Sequence, residues 1–104
     1  MQRIAFLLGM KPGTEAEYRA RHDSIWPEMS ATLRDAGMHN YSIFRLGTQL
    51  IAYCEVDDWQ ETLRRLEASK TNRKWQERMS DILEAPIDST TGSFYLLEEM
   101  FHHE

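Results

Sequence analysis

The amino-acid sequence predicts an α+β fold, a ferredoxin-like split βαβ sandwich, in a single domain over residues 1–104. The first observation is the order of the predicted elements (strand, helix, strand, strand, helix, strand), which is the order of that fold. The second is the length, because 104 residues suffice for one domain. The third is that the first and last predicted strands carry large apolar residues on both faces. Helices cover only one face of such a sheet, so the other face predicts a homodimer with stacked sheets.

The first third of the chain predicts a strand over residues 3–10 followed by two helical segments. Thr14 is the candidate N-cap of the first helix, which we expect to end near His22. Pro27 has no backbone N–H and disfavours helical geometry at the residue before it. It therefore predicts a break, and then a second helical segment that starts at Pro27 and ends at Ala36.

The remainder of the chain predicts a hairpin, two further helices and a closing strand. A tight turn at 47–48 joins the two strands of the hairpin, and a polar break at 69–72 separates the two helices. The predicted elements are strands at 38–46 and 49–56, helices at 59–66 and 73–83, and a last strand at 94–101.

Composition and charge exclude several classes of partner. Hydrophobic residues make up 41% of the chain and charged residues 28%, which is typical of a soluble globular protein. The formal net charge of -5 argues against nucleic acid, whose recognition needs a basic surface. No run approaches the ~20 apolar residues of a membrane span, and the N-terminal run is too short for a signal peptide. The single cysteine, Cys54, cannot form an internal disulfide, so a cytoplasmic location fits best.

Tyr18 and His22 are the first candidate site residues. Their spacing of four places both side chains on one face of the first predicted helix, directly before its break. An imidazole changes charge near neutral pH and can both donate and accept a proton, which makes His22 a candidate for chemistry. The alternative is a buried, hydrogen-bonded core histidine, and the pattern alone leaves both interpretations open.

Tyr41, Trp75 and Gln76 are the other candidates. Tyr41 lies on the second predicted strand, from which its phenol can reach the helical layer. Aromatic faces such as that of Trp75 bind the apolar C–H face of a sugar, while tyrosine and glutamine side chains bind its hydroxyl groups. Together with Tyr18 and His22, these residues suit a neutral, hydroxyl-rich ligand. The alternative is that Tyr41 and Trp75 are ordinary core aromatics.

No sequence pattern indicates a metal or a cofactor. His102 and His103 are adjacent at the C-terminal end and lack the spacing of metal ligands. Gly-rich phosphate loops, nucleophile elbows and paired zinc motifs are absent from the sequence. We therefore expect a site built from side chains alone.

The segment YRARHDSIWPEM, from Tyr18 to Met29, resembles the signature of the L-rhamnose mutarotase family. It has the pattern YxxxHxxxWPE, and the pattern GxxNYSI follows from Gly37 to Ile43. The combination is long enough to be specific, and the agreement in length and element order covers nearly the whole chain.

The resemblance implies a dimeric ferredoxin-like α+β barrel that binds a monosaccharide and needs no cofactor. It implies that His22 is the proton donor and that Tyr18 and Tyr41 bind the sugar. Trp75 matches the first member of a tryptophan pair on the last helix, but Gln76 stands where the second tryptophan is usual. The loop after Pro86 also departs from the family pattern, and both departures bear on which sugar is bound.

The implied reaction interconverts the α and β anomers of L-rhamnose in 6-deoxy-hexose catabolism. The sugar ring opens when its oxygen gains a proton and the anomeric hydroxyl loses one. A single imidazole can be the acid in one direction and the base in the return. The first alternative is the same reaction on L-fucose or another 6-deoxy sugar, which Gln76 suggests. The second is a haem-binding or monooxygenase-like dimeric α+β barrel, and the third is a non-catalytic sugar-binding dimer.

Overall fold

The computed structural model describes residues 1–104 and contains four α-helices and six β-strands. In chain order they are β1 (Gln2–Met10), α1 (Glu15–Asp23), α2 (Pro27–Asp35), β2 (His39–Leu46), β3 (Gln49–Val56), α3 (Trp59–Ala68), α4 (Lys70–Met79), β4 (Leu83–Glu84), β5 (Ile87–Asp88) and β6 (Ser93–Phe94). No helix is long and apolar enough to cross a membrane.

The main sheet has the strand order β2-β3-β1-β4, with every neighbouring pair antiparallel. The first strand is therefore central and pairs with the third, which is the topology of the split βαβ fold. The predicted α+β fold class is confirmed. A register shift between His39 and Ser42, where Asn40 has a φ of 50°, interrupts the pairing of β2 with β3 around the candidate site residue Tyr41.

The hydrophobic core lies between the helices and one face of this sheet, which we call the inner face. Strand alternation directs Phe6, Leu8 and Met10 of β1 toward the helices, and all three are buried. On β3, Leu50 and Ala52 belong to the same buried cluster. The opposite, outer face has no helix on it.

The helix break at Pro27 is confirmed. α1 ends at Asp23, and Trp26 has extended backbone angles (φ -59°, ψ 137°) as the residue before α2. Pro27 is the first residue of α2, where its missing N–H leaves no helical hydrogen bond unmade. The predicted capping role of Thr14 is wrong, because its hydroxyl donates to the carbonyl of Lys11 at 2.6 Å instead of accepting from the helix.

The bounds predicted for the last helix are wrong at both ends. The break between α3 and α4 is the single residue Ser69, whose hydroxyl accepts a hydrogen bond from the N–H of Asn72 and so caps α4. α4 therefore begins at Lys70 and includes the residues predicted as a polar break. It ends at Met79 rather than near residue 83, since the chain must turn there to reach β4.

The closing strand predicted at 94–101 is also wrong as a continuous element. β4 already pairs with Gly9 and Met10, so only the middle of the β1 edge is left for the C-terminal segment. The N–H of Leu7 donates to the carbonyl of Tyr95 at 2.9 Å, and that of Leu97 donates to Ala5 at 2.8 Å. Beyond Leu97 the chain follows β1 without forming a ladder.

Candidate active site

A cavity of about 400 Å³ lies between the inner face of the sheet and the helices. It is lined by residues of all four helices and of every strand except β3. The structure brings together all five residues predicted for the site, which are Tyr18, His22, Tyr41, Trp75 and Gln76. Residues from three separate elements, α1, β2 and α4, therefore meet at one cavity.

The imidazole of His22 is held in one orientation by α1 itself. Its Nδ1 lies 2.9 Å from the backbone carbonyl oxygen of Tyr18, one turn earlier. A carbonyl oxygen only accepts hydrogen bonds, so we assign the proton of the neutral ring to Nδ1. Nε2 is then the nitrogen that can gain and lose a proton. The Tyr18 ring stacks on the imidazole, with centroids 4.4 Å apart and planes at 18°.

Trp75 of α4 lies in the cavity wall next to His22 of α1, and it is 6% exposed. Its ring meets His22 edge to face at 5.4 Å and Trp26 edge to face at 5.2 Å. Trp26 does not line the cavity, so it supports Trp75 from behind. Trp26 follows His22 by four residues, but it lies outside α1, and its contact with Trp75 depends on the break before Pro27.

Burial keeps the two tyrosine phenols of the cavity protonated. Burial raises the pKa of Tyr18 to about 12 and also raises the pKa of Tyr41, because the charged phenolate is disfavoured away from water. Both hydroxyl groups are therefore hydrogen-bond donors and acceptors at neutral pH. Neither one is suited to act as a general base there.

A short polar row on α3 and α4 borders the cavity. It consists of Glu67, Asn72 and Gln76, all of which line it. The side-chain amide of Asn72 donates to the carbonyl of Leu66 at 3.1 Å and accepts a long hydrogen bond of 3.5 Å from Gln76. The sequence reasoning missed Asn72 because it placed this residue outside the last helix. With the correct start of α4, its spacing of four from Gln76 would have identified it.

The rest of the cavity is apolar. Hydrophobic residues account for 17 of the 23 that line it, and Phe6 and Phe94 pack together there with ring centroids 4.8 Å apart. Across the chain, no group of three or more His, Cys, Asp and Glu side chains could hold a metal ion. A mostly apolar cavity with a few fixed polar groups is typical of a site for a small organic ligand.

A second cavity, of about 800 Å³, shares part of its wall with the first. Tyr18, His22 and Tyr41 line both cavities. The second one also has charged residues of α1 and β2 in its wall, namely Glu15, Arg19, Asp23 and Arg45. The imidazole is therefore accessible from an apolar side and from a polar side.

The fold and the cavity define a class: a small α+β domain with one oriented imidazole among aromatic and hydroxyl-bearing side chains. Comparisons with known proteins identify the member of that class. The family model described as L-rhamnose mutarotase matches residues 3–103. The chain belongs to the L-rhamnose mutarotase family.

Individual relatives agree with this assignment. An L-rhamnose mutarotase of Tolumonas auensis is 38% identical over 104 residues, covering 92% of this chain and 99% of the relative. The solved L-rhamnose mutarotase of Formosa agariphila is 30% identical, with a TM-score of 0.79 and all of both chains covered. A type-II polyketide cyclase of Streptomyces glaucescens has a TM-score of 0.65, with 100% of this chain and 98% of the cyclase covered. At 19% identity it is similar in fold alone. The similarity therefore favours a mutarotase over a haem-binding or monooxygenase-like α+β barrel.

Proposed function

We propose that the chain catalyses the interconversion of the α and β anomers of L-rhamnose, without a metal or a cofactor. Family membership supports this reaction, because its curated relatives are L-rhamnose mutarotases. The observation that carries the proposal is the imidazole of His22, whose Nδ1 is fixed 2.9 Å from the Tyr18 carbonyl inside a sugar-sized cavity. One acid–base group of defined orientation is what the reaction needs.

His22 acts through Nε2. In the protonated ring, Nε2 donates its proton to the ring oxygen of the sugar as the bond between that oxygen and C1 breaks. The anomeric hydroxyl gives its proton to a water molecule, and an open-chain aldehyde forms. Rotation about the C1–C2 bond presents the other carbonyl face. The sugar hydroxyl then attacks that face and returns its proton to Nε2, while water returns a proton to the former carbonyl oxygen. A positioned acid–base group of this kind contributes about 10²–10⁴ in rate.

The other four residues bind and orient the sugar. Tyr18 and Tyr41 stay protonated, so their hydroxyl groups donate hydrogen bonds to sugar oxygens. Trp75 offers its face to the apolar C–H side of the ring. Gln76 binds a hydroxyl group at the polar edge of the cavity. The second tryptophan of the family pattern would instead cover a C–H face of the sugar at this position.

The test is the exchange between the two anomeric protons of each sugar, measured by NMR on a panel of 6-deoxy-hexoses. We expect the purified protein to raise the exchange rate of L-rhamnose far above its uncatalysed value, with L-fucose as the first competitor. An unchanged exchange rate with detectable sugar binding would instead indicate a binding protein. A Soret band after addition of haem would indicate the alternative class of α+β barrel.

We also propose that the protein is cytoplasmic and that its single domain forms a homodimer. The outer face of the sheet carries Phe44 and Leu46, which are 64% and 78% exposed, and the C-terminal segment adds Met100 and Phe101 at 84% and 80%. Side chains of this size favour burial, and a second copy of the same face would cover them. Sedimentation at micromolar concentration tests the dimer, and a monomer would contradict the stacked sheets.

Cys54 is buried, and burial raises the pKa of its thiol to about 11, which suits an unreactive thiol in a reducing compartment such as the cytoplasm.

A further inference from the structure

One side chain makes the polar connection between α1 and the rest of the helical layer. Nη1 of Arg21 donates to the backbone carbonyl of Arg78 at 2.7 Å and to one carboxylate oxygen of Asp81 at 2.8 Å. Its Nη2 donates to the other oxygen of Asp81 at 3.1 Å. No other side chain of α1 makes a hydrogen bond or an ion pair outside that helix.

The contact is built for a guanidinium group. The side chain of Arg21 is 8% exposed, and its Nε is held by Glu17, one turn earlier on α1, at 2.7 Å. The carbonyl of Arg78 belongs to the last turn of α4, where carbonyl groups have no partner within the helix and a positive charge is favourable. Arg21 therefore caps α4 from a different helix, and a lysine could not make this set of directed hydrogen bonds.

The same two helices carry the two halves of the candidate site. α1 contributes Tyr18 and His22, and α4 contributes Trp75 and Gln76. Arg21 is the residue before His22, and Arg78 lies three residues after Trp75, so the polar contact is close in sequence to the ring contact on both helices. The distance of 5.4 Å between the rings of His22 and Trp75 thus depends on how α1 sits against α4.

We propose that Arg21 is a positioning residue: by locking α1 to the C-terminal end of α4, it fixes His22 relative to a sugar bound on Trp75. The proposal rests on the proposed function. It predicts an effect mainly on the chemical step, because the groups that bind the sugar remain present. Misplacement of a reacting group by 1 Å can cost about 10² in rate.

The experiment compares Arg21→Lys and Asp81→Asn with a control, Arg64→Lys. Arg64 pairs with Glu61 on the exposed side of α3, and its side chain is 67% exposed. We expect Arg21→Lys to lower kcat by about 10- to 100-fold per folded molecule with a much smaller change in KM. Asp81→Asn, at a side chain that is 64% exposed, should lower kcat less. The double variant should be no slower than Arg21→Lys alone, because both changes remove one contact.

A second measurement does not depend on activity. The ring protons of His22 lie beside the edge-to-face ring of Trp75, so their NMR shifts report the spacing of α1 and α4. Arg21→Lys should move these shifts, and Arg64→Lys should leave them unchanged. A lower melting temperature with the wild-type kcat and unmoved His22 shifts would overturn the proposal. A wild-type protein without anomer exchange would contradict the proposed function, whereas the shifts would still decide whether Arg21 positions His22.

Discussion

The two faces of the sheet are both apolar, yet they differ in what covers them. On the inner face, Leu50 and Ala52 are 2% and 0% exposed beneath the four helices. On the outer face, Phe44 and Leu46 of the adjacent strand remain largely exposed. Apolar alternation alone therefore indicates that a face is to be buried, and does not identify the partner that buries it.

The space between the inner face and the helices is not completely filled by side chains. Instead of packing solidly against the sheet, the helices leave a cavity, and the candidate site residues lie in its wall. We propose that burial on this side serves two purposes, stability and the orientation of the candidate site residues. Substitutions that change stability and catalysis by different amounts can distinguish these two purposes.

The largest effect is expected at His22. Changing His22→Asn keeps much of the shape and some hydrogen bonding but removes the titrating nitrogen, so anomer exchange should fall by about 10²–10⁴. Sugar affinity should change far less, because the proposed binding groups remain. The measurement combines NMR exchange with the melting temperature of the same preparation, and the control is His39→Asn at an exposed position on β2.

The opposite pattern at His22 would support the structural alternative. A core histidine predicts a lower melting temperature with activity per folded molecule kept. A stable His22→Asn protein with near-normal exchange would remove His22 from the mechanism.

The next prediction distinguishes the inner face from the outer face by whether a substitution's effect on stability depends on protein concentration. Leu50→Ala leaves a cavity in the core and should lower the free energy of unfolding by about 2–5 kcal/mol at every protein concentration. Phe44→Ala should cost about 1–3 kcal/mol only at concentrations where the wild-type dimer forms. Thermal unfolding across a dilution series measures both. A cost for Phe44→Ala that is the same at all concentrations would mean that the outer face is not a dimer interface.

The parts of the fold that depend on local chemistry were predictable from the sequence. Pro27 imposes the break between α1 and α2 whatever surrounds it, because it lacks a donor and restricts the preceding residue. The hairpin of β2 and β3 follows from its turn and its alternating strands. The spacing of Tyr18 and His22 on one helix likewise required no knowledge of the tertiary structure.

The parts that depend on contacts between distant elements were not predictable in this way. The end of α4 is capped by Arg21 from another helix, and no local pattern reveals that partner. The closing strand is short because β4 occupies part of the edge of β1, which depends on the path of the chain after α4. The misplaced start of α4 in turn concealed Asn72 as a residue of the cavity.

The smallest expected effect concerns which sugar the cavity prefers. Gln76 lines the cavity beside Asn72, and the only hydrogen bond of its side chain is the long one of 3.5 Å to the side chain of that residue. Its amide therefore has donor and acceptor capacity left for a sugar hydroxyl. Gln76→Trp would exchange this polar group for an aromatic face that covers C–H bonds.

We expect Gln76→Trp to change the ratio of kcat/KM between L-rhamnose and L-fucose by about tenfold, equivalent to about 1.4 kcal/mol of transition-state binding. The matched control is Lys74→Trp, which adds the same ring at an exposed position of α4 that does not line the cavity. The ratio in that control should stay at the wild-type value, which excludes a general effect of the added ring. Equal ratios in both variants and the wild type would show that Gln76 does not set specificity.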